Sequence, residues 1–207
     1  MRIAVIKKSA LVLAPLLTSV LITGCGAPAA VSPPPAPPPD LHGAPSVDKP
    51  LETGSLHQDP CRVLSPEQLV ALGIAGAPQA DSDVSGPSCE WDDIGGPPHY
   101  TVDSLRVTFV VGGDGLKLSY ARRDAYSYFR ELPRVEGYPA IAAGSTPGGT
   151  PEEEGTCELA VGVTDDLVVL TQVHLGNGSP STGEPCGRAG QVATEVMKTI
   201  KAASGVH

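Results

Sequence analysis

The stretch Cys157-Glu158-Leu159-Ala160-Val161-Gly162-Val163-Thr164-Asp165-Asp166-Leu167-Val168-Val169-Leu170-Thr171-Gln172-Val173-His174-Leu175 carries the pattern that decides the fold. Cys157, Leu159, Val161 and Val163 alternate with smaller or polar residues, the period of a strand that buries one face. Asp165-Asp166 supplies turn chemistry, and Leu167 to Leu175 returns as a second strand, so the stretch predicts an antiparallel hairpin. Leu167 to Leu170 is apolar on both faces, which places the start of the second strand in the centre of a sheet, covered on both sides. Gln172 and His174 continue the face begun by Val168 and Leu170 with polar groups. That face is therefore expected to be only partly covered.

Working outward, Leu105 to Val111 sets Leu105, Val107, Phe109 and Val111 against Arg106, Thr108 and Val110, again a half-buried strand. Gly112-Gly113-Asp114-Gly115 follows. It lacks the Lys-Ser/Thr pair of a phosphate-binding loop, and Asp114 would repel phosphate, so it reads as a turn with Asp114 as helix cap. Leu118, Ala121, Ala125, Tyr128, Phe129 and Leu132 then predict a middle helix stopped by Pro133. Val135 to Ala143 reads as a short edge or bulged strand broken at Gly137 and Pro139. Gly144 to Gly155 reads as a solvated loop, whose Glu152-Glu153-Glu154 lacks calcium-loop spacing.

Before these, Leu64-Ser65-Pro66-Glu67-Gln68-Leu69 is a helix start: Ser65 as N-cap, Pro66 at the first helical position and Gln68 closing a capping box. Ala75 to Pro87 reads as a loop. Cys89-Glu90-Trp91 predicts a strand with Cys89 and Trp91 inward and Glu90 outward. At the other end, Ala189, Val192, Ala193, Val196 and Ile200 form one face of a C-terminal helix that starts after Glu184-Pro185-Cys186. The fold expected is α+β: an antiparallel sheet packed by N-terminal, middle and C-terminal helices, with two disulfides.

The N-terminus points to export. Arg2, Lys7 and Lys8 precede a short apolar run from Ala10 to Ile22, the charged and apolar regions of a signal peptide over residues 1–24. Leu21-Ile22-Thr23-Gly24-Cys25 resembles the bacterial lipobox, which implies a diacylglycerol on the Cys25 thiol, cleavage before it and acylation of the new amine. Residues 25–57 are then a lipidated tether. Nine of the 32 residues from Gly26 to His57 are proline, which suits an extended spacer reaching between about 30 and 100 Å. Residues 58–207 form a single domain. The expected location is the extracytoplasmic face of the cell membrane, with the membrane contacted through the lipid at Cys25.

All 23 acidic residues but only eleven of the 14 basic ones follow Cys25. Such a surface disfavours nucleic acid as a partner. Cys61, Cys89, Cys157 and Cys186 are an even set in an exported chain, hence two disulfides. The spacing has no C-x2-C pair, and with only His99 and His174 well inside the domain, neither a metal site nor any cofactor is expected. Three connectivities are open from the sequence. Asp59-Pro60-Cys61 and Glu184-Pro185-Cys186 each precede a helix, and this symmetry motivates Cys61–Cys89 and Cys157–Cys186, each pinning a helix to a strand.

Asp59-Pro60-Cys61, the capped helix at Ser65-Pro66-Glu67, Cys89-x-Trp91, Gly137-Tyr138-Pro139-Ala140, the strand from Cys157 and Glu184-Pro185-Cys186 together resemble an actinobacterial lipoprotein family catalogued as domain of unknown function 3558. The resemblance spans about Gln58 to Ser204, with Glu184 where aspartate is more usual. It implies an exported, disulfide-bonded α+β domain and no particular activity.

No G-x-S-x-G elbow and no H-E-x-x-H occurs in the chain. A binding or accessory module, not an enzyme, is therefore the expectation, with an envelope protein or a glycan as ligand. Arg106, Thr108, Gln172 and His174 are the expected ligand face. The alternative is a cell-envelope hydrolase with His174 as base, assisted by Asp165, Asp166 or Glu152 to Glu154.

Overall fold

The computed structural model describes residues 40–94, 103–176, 179, 181 and 183–206. The expected signal segment, Cys25 and the expected tether up to residue 39 lie outside them, as does His99. Seven strands are described: β1 Gln79–Asp83, β2 Gly86–Asp92, β3 Ser104–Val110, β4 Tyr128–Val135, β5 Tyr138–Gly144, β6 Thr156–Gly162 and β7 Val168–His174. They pair in the order β1-β2-β3-β7-β6-β5-β4, and every pairing is antiparallel. The helices are α1 Gly54–His57, α2 Pro66–Ala71, α3 Gly115–Ala121, α4 Pro151–Glu154 and α5 Pro185–Ala203, with 3-10 turns at Pro60–Val63 and Arg123–Ala125. The architecture is α+β.

The hairpin read from Cys157 to Leu175 forms as β6 and β7, and β7 is the central strand. Its inward side chains, with those of β2, β3 and β6, make the principal core: Cys89, Trp91, Leu105, Val107, Phe109, Val169, Val173, Leu159 and Val161. The apolar face of α5 closes it, with Ala189, Val192, Ala193, Val196 and Ile200 each no more than 1 % exposed. Each fully buried aliphatic side chain of this kind contributes about 1.5–3 kcal/mol of transfer free energy.

The disulfides are Cys61–Cys89, joining the Pro60–Val63 turn to β2, and Cys157–Cys186, joining β6 to the first turn of α5. The symmetry argument thus gives the pairing found. α2 begins as its sequence prescribes: Ser65 Oγ accepts from the Gln68 N–H at 3.3 Å and Gln68 Oε1 accepts from the Ser65 N–H at 2.8 Å. The same Gln68 amide donates to the Glu195 carbonyl at 2.9 Å, tying α2 to α5.

On the opposite face of the sheet a second cluster covers one half only. Leu116 and Tyr120 of α3, together with Ala44, pack on Ile141, Ala160 and Val168, flanked by Val110, Phe129 and Leu170. The start of β7 is therefore covered on both sides. Its end, at Gln172 and His174, is not.

Several expectations are corrected. The middle helix stops at Ala121, and Tyr128 to Val135 is a strand, the edge of the sheet. Tyr128, Phe129 and Leu132 fit a helical period, but Tyr and Phe favour strands, and Pro133 is tolerated where the register shifts between Leu132 and Val135. Val135 therefore ends β4 rather than starting the next strand. Glu136 and Gly137, at φ +51° and +91°, form a two-residue hairpin turn, a geometry that favours glycine at its second position. β5 begins only at Tyr138 and lies inside the sheet, between β4 and β6. Part of the expected loop Ala75–Pro87 is β1, whose five residues are all exposed and so show no hydrophobic period. Pro151–Glu154 is a short helix rather than loop, capped by Thr150. Asp114 occupies the N-cap position of α3, but its side chain pairs with Lys117 at 3.4 Å instead of bonding the backbone.

The tether boundary also moves. Residues 40–57 pack on the domain as a strap: Ala44, Val47, Leu51 and Leu56 are buried, Leu51 at 2 % exposure. Three backbone groups fasten it, with Val47 N–H to Asp165 Oδ1 and Leu51 N–H to the Val163 carbonyl, each 2.9 Å, and the Lys49 carbonyl accepting from Tyr138. Pro45 and Pro50 give this segment the composition of a linker, yet its well-spaced apolar residues find sites along the end of the sheet. The domain thus starts near residue 40, not at 58.

Candidate functional site

The uncovered half of the outer face is built by register. Ser104, Arg106 and Thr108 of β3 stand opposite His174, Gln172 and Leu170 of β7, while Glu90 of β2 pairs with Arg106 and Glu158 of β6 with Gln172. Because side chains alternate across a strand, these groups project from one face. A cavity of about 280 Å³ opens over these groups apart from Thr108 and Leu170, bounded at its far side by Tyr128, Ser145 and Thr146.

Arg106 is held between two carboxylates. Its Nη2 donates to Glu90 Oε2 at 2.6 Å and its Nη1 to Asp81 Oδ2 at 3.2 Å. Gln172 Nε2 donates to Glu158 Oε1 at 3.2 Å. Tyr128 is buried, its hydroxyl accepting the Glu158 N–H at 3.1 Å, and burial pushes its pKa up. That hydroxyl sits so close to Gly144 that a Cβ there would lie 2.6 Å from it. Gly144 is the residue that lets Tyr128 reach across to β6.

Of the four expected ligand-face residues, the structure gathers Arg106, Gln172 and His174 around this groove and excludes Thr108. Thr108 is 3 % exposed. It lies between Ser88 and Leu170, toward the half of the face that the second cluster covers. His174 is exposed at the end of β7. Its proposed acidic partners are elsewhere: Asp165 and Asp166 sit at the β6–β7 turn, the opposite end of a seven-residue strand about 20 Å long. Glu152 is held by both guanidinium nitrogens of Arg130, at 2.6 and 2.9 Å.

Ser104, Thr156 and Glu158 complete the groove and were not singled out from the sequence. Their signal is the strand order: once β3, β7 and β6 are adjacent, polar positions in register with Gln172 and His174 must line the same face. Among the described residues no cluster of three His, Cys, Asp or Glu is placed to hold a metal ion. Among them, too, no helix is long and apolar enough to cross a membrane.

No curated protein and no solved structure matches the chain. A family model described as "Protein of unknown function (DUF3558)" matches residues 20–199, well over half of the 207. On that match the chain belongs to this family of proteins of unknown function.

Proposed function

We propose that the protein is an exported lipoprotein, anchored at the extracytoplasmic face of the cell membrane through lipid on Cys25, whose domain is a binding or accessory module. The observation that carries the reading is the half-covered sheet: α3 and the strap close one half of the outer face, and the other presents Arg106, Gln172, His174, Ser104, Thr156 and Glu158 around one groove.

Two ligand classes were expected, an envelope protein and a glycan. The groove's electrostatics favour the glycan. Arg106 is already matched by Glu90 and Asp81, so it offers an anion little, whereas hydroxyls, an amide and an imidazole ring offer hydrogen-bonding groups. A hydroxyl-rich chain suits that inventory. A binding role is preferred to hydrolysis because, among the described residues, no carboxylate or hydroxyl hydrogen-bonds to His174 to orient it as a base.

Two measurements test the proposal. Mass analysis of the membrane-extracted protein should find an acylated N-terminus at Cys25, lost in Cys25→Ala. The chain from Cys25 onward should co-sediment with purified bacterial cell-wall sacculi, and replacing Arg106, Gln172 and His174 together by Ala should reduce the bound fraction at least tenfold with circular dichroism unchanged. Equal sedimentation of the triple variant would remove the groove as the ligand face.

A further inference from the structure

At the β4–β5 turn the structure forms a second cavity, of about 260 Å³, remote in the fold from the groove. One wall is the strap at Val47, Asp48 and Lys49, another the turn at Arg134, Glu136 and Gly137, and the last is the end of α5 at Lys201 with Val206. Its floor is apolar: Val47, Tyr138 and Pro139 are buried.

The charge around it runs against the rest of the molecule. Acidic residues outnumber basic ones 23 to 14 in the chain, yet this cavity is lined by three cations, Lys49, Arg134 and Lys201, and two anions, Asp48 and Glu136. One cation is matched, since Lys201 Nζ lies 2.9 Å from Glu136 Oε2. Arg134 uses a single N–H on the Gly137 carbonyl, at 2.9 Å, and neither it nor Lys49 makes an ion pair among the described residues. A guanidinium with spare donors and an ammonium lining the same cavity suit recognition of a carboxylate.

We propose that this cavity binds a small organic acid, its carboxylate held by Arg134 and Lys49 and its short apolar body laid against Tyr138, Pro139 and Val47. The volume sets the size class, being below the roughly 300–1,000 Å³ of sites for drug-sized ligands. The site is pre-formed, because the Tyr138 hydroxyl holds the Lys49 carbonyl at 2.9 Å and Val47 N–H is held by Asp165. It is also a site that exists only when the strap is docked. A bound acid therefore ties residues 47–49 to the β4–β5 turn, and it binds independently of the groove.

The test uses the chain from Cys25 onward, which contains the whole compact unit, with hexanoate as probe and hexylamine and hexan-1-ol as controls of equal tail. Hexanoate should produce saturable amide shift changes at residues 47–49, 136–138 and 206 in 15N-correlated spectra, while hexylamine leaves them unmoved. Arg134→Gln and Lys49→Gln should each raise the hexanoate Kd at least fivefold. Lys49 is bonded through its backbone carbonyl, and among the described residues Lys49→Gln removes no side-chain hydrogen bond, so it keeps the test valid if Arg134→Gln disturbs the turn. Shifts that do not saturate, that follow hexylamine or hexan-1-ol equally, or that persist unchanged in Lys49→Gln would overturn the assignment.

Discussion

The Tyr138 hydroxyl donates to the Lys49 carbonyl at 2.9 Å, joining two residues 89 positions apart in sequence. It helps to make residues 40–57 part of the domain rather than of the expected spacer. Tyr138→Phe should cost about 1 kcal/mol, the usual net worth of one such bond, and Leu51→Ala about 2–5 kcal/mol for a buried leucine. Urea denaturation measures both. A strap that only trailed from the domain would leave both values near zero.

The disulfides close loops of 28 and 29 residues. Chain entropy assigns each about 3–4 kcal/mol. Replacing Cys61 and Cys89 together by Ala, or Cys157 and Cys186 together, should lower stability by that order, and non-reducing peptide mapping should recover the two sequence-neighbour pairs. A peptide linking Cys61 to Cys186 would contradict the fold.

Arg188 Nη2 donates to the Leu72 and Ile94 carbonyls, 2.6 Å each, fastening the start of α5 to the end of α2 and the end of β2. Burial lowers its pKa, but a guanidinium stays charged at any working pH. Arg188→Met keeps most of the volume and leaves both carbonyls without this donor, at a cost of about 2–3 kcal/mol. The fall in the urea midpoint, with the slope unchanged, checks it.

Glu152 is drawn below the ordinary glutamate pKa of 4.5, first by its bonds from Arg130. A depressed carboxylate contributes stability that is present above the unfolded value and lost as pH falls through the lower folded one. The two side chains are about 40 % exposed, so screening holds the contribution below about 1 kcal/mol. Wild type should exceed Glu152→Gln slightly in Tm at pH 6 and low salt, with the gap closing below about pH 4 and in 1 M NaCl. A gap that persisted at pH 3 would mean that Glu152 acts through something other than its charge.

By itself the sequence determined the elements whose signals are local. The β6–β7 hairpin follows from a period of two around Asp165-Asp166, α2 from Ser65 and Gln68 capping each other within one turn, and α5 from one apolar face over several turns. The cysteine pairing followed from a symmetry of those same elements. Tertiary structure alone decided the rest, because there the energy comes from partners distant in the chain. Tyr128 to Val135 is a strand only because β5 offers it an edge, and β1 because β2 does, its own side chains being wholly exposed. The strap is ordered by bonds to Val163, Asp165 and Tyr138, which its proline-rich sequence does not announce. Thr108 and Arg106 share a face and a polar pattern. Only the packing of α3 over half of that face leaves Arg106 in the groove and buries Thr108 beside Leu170.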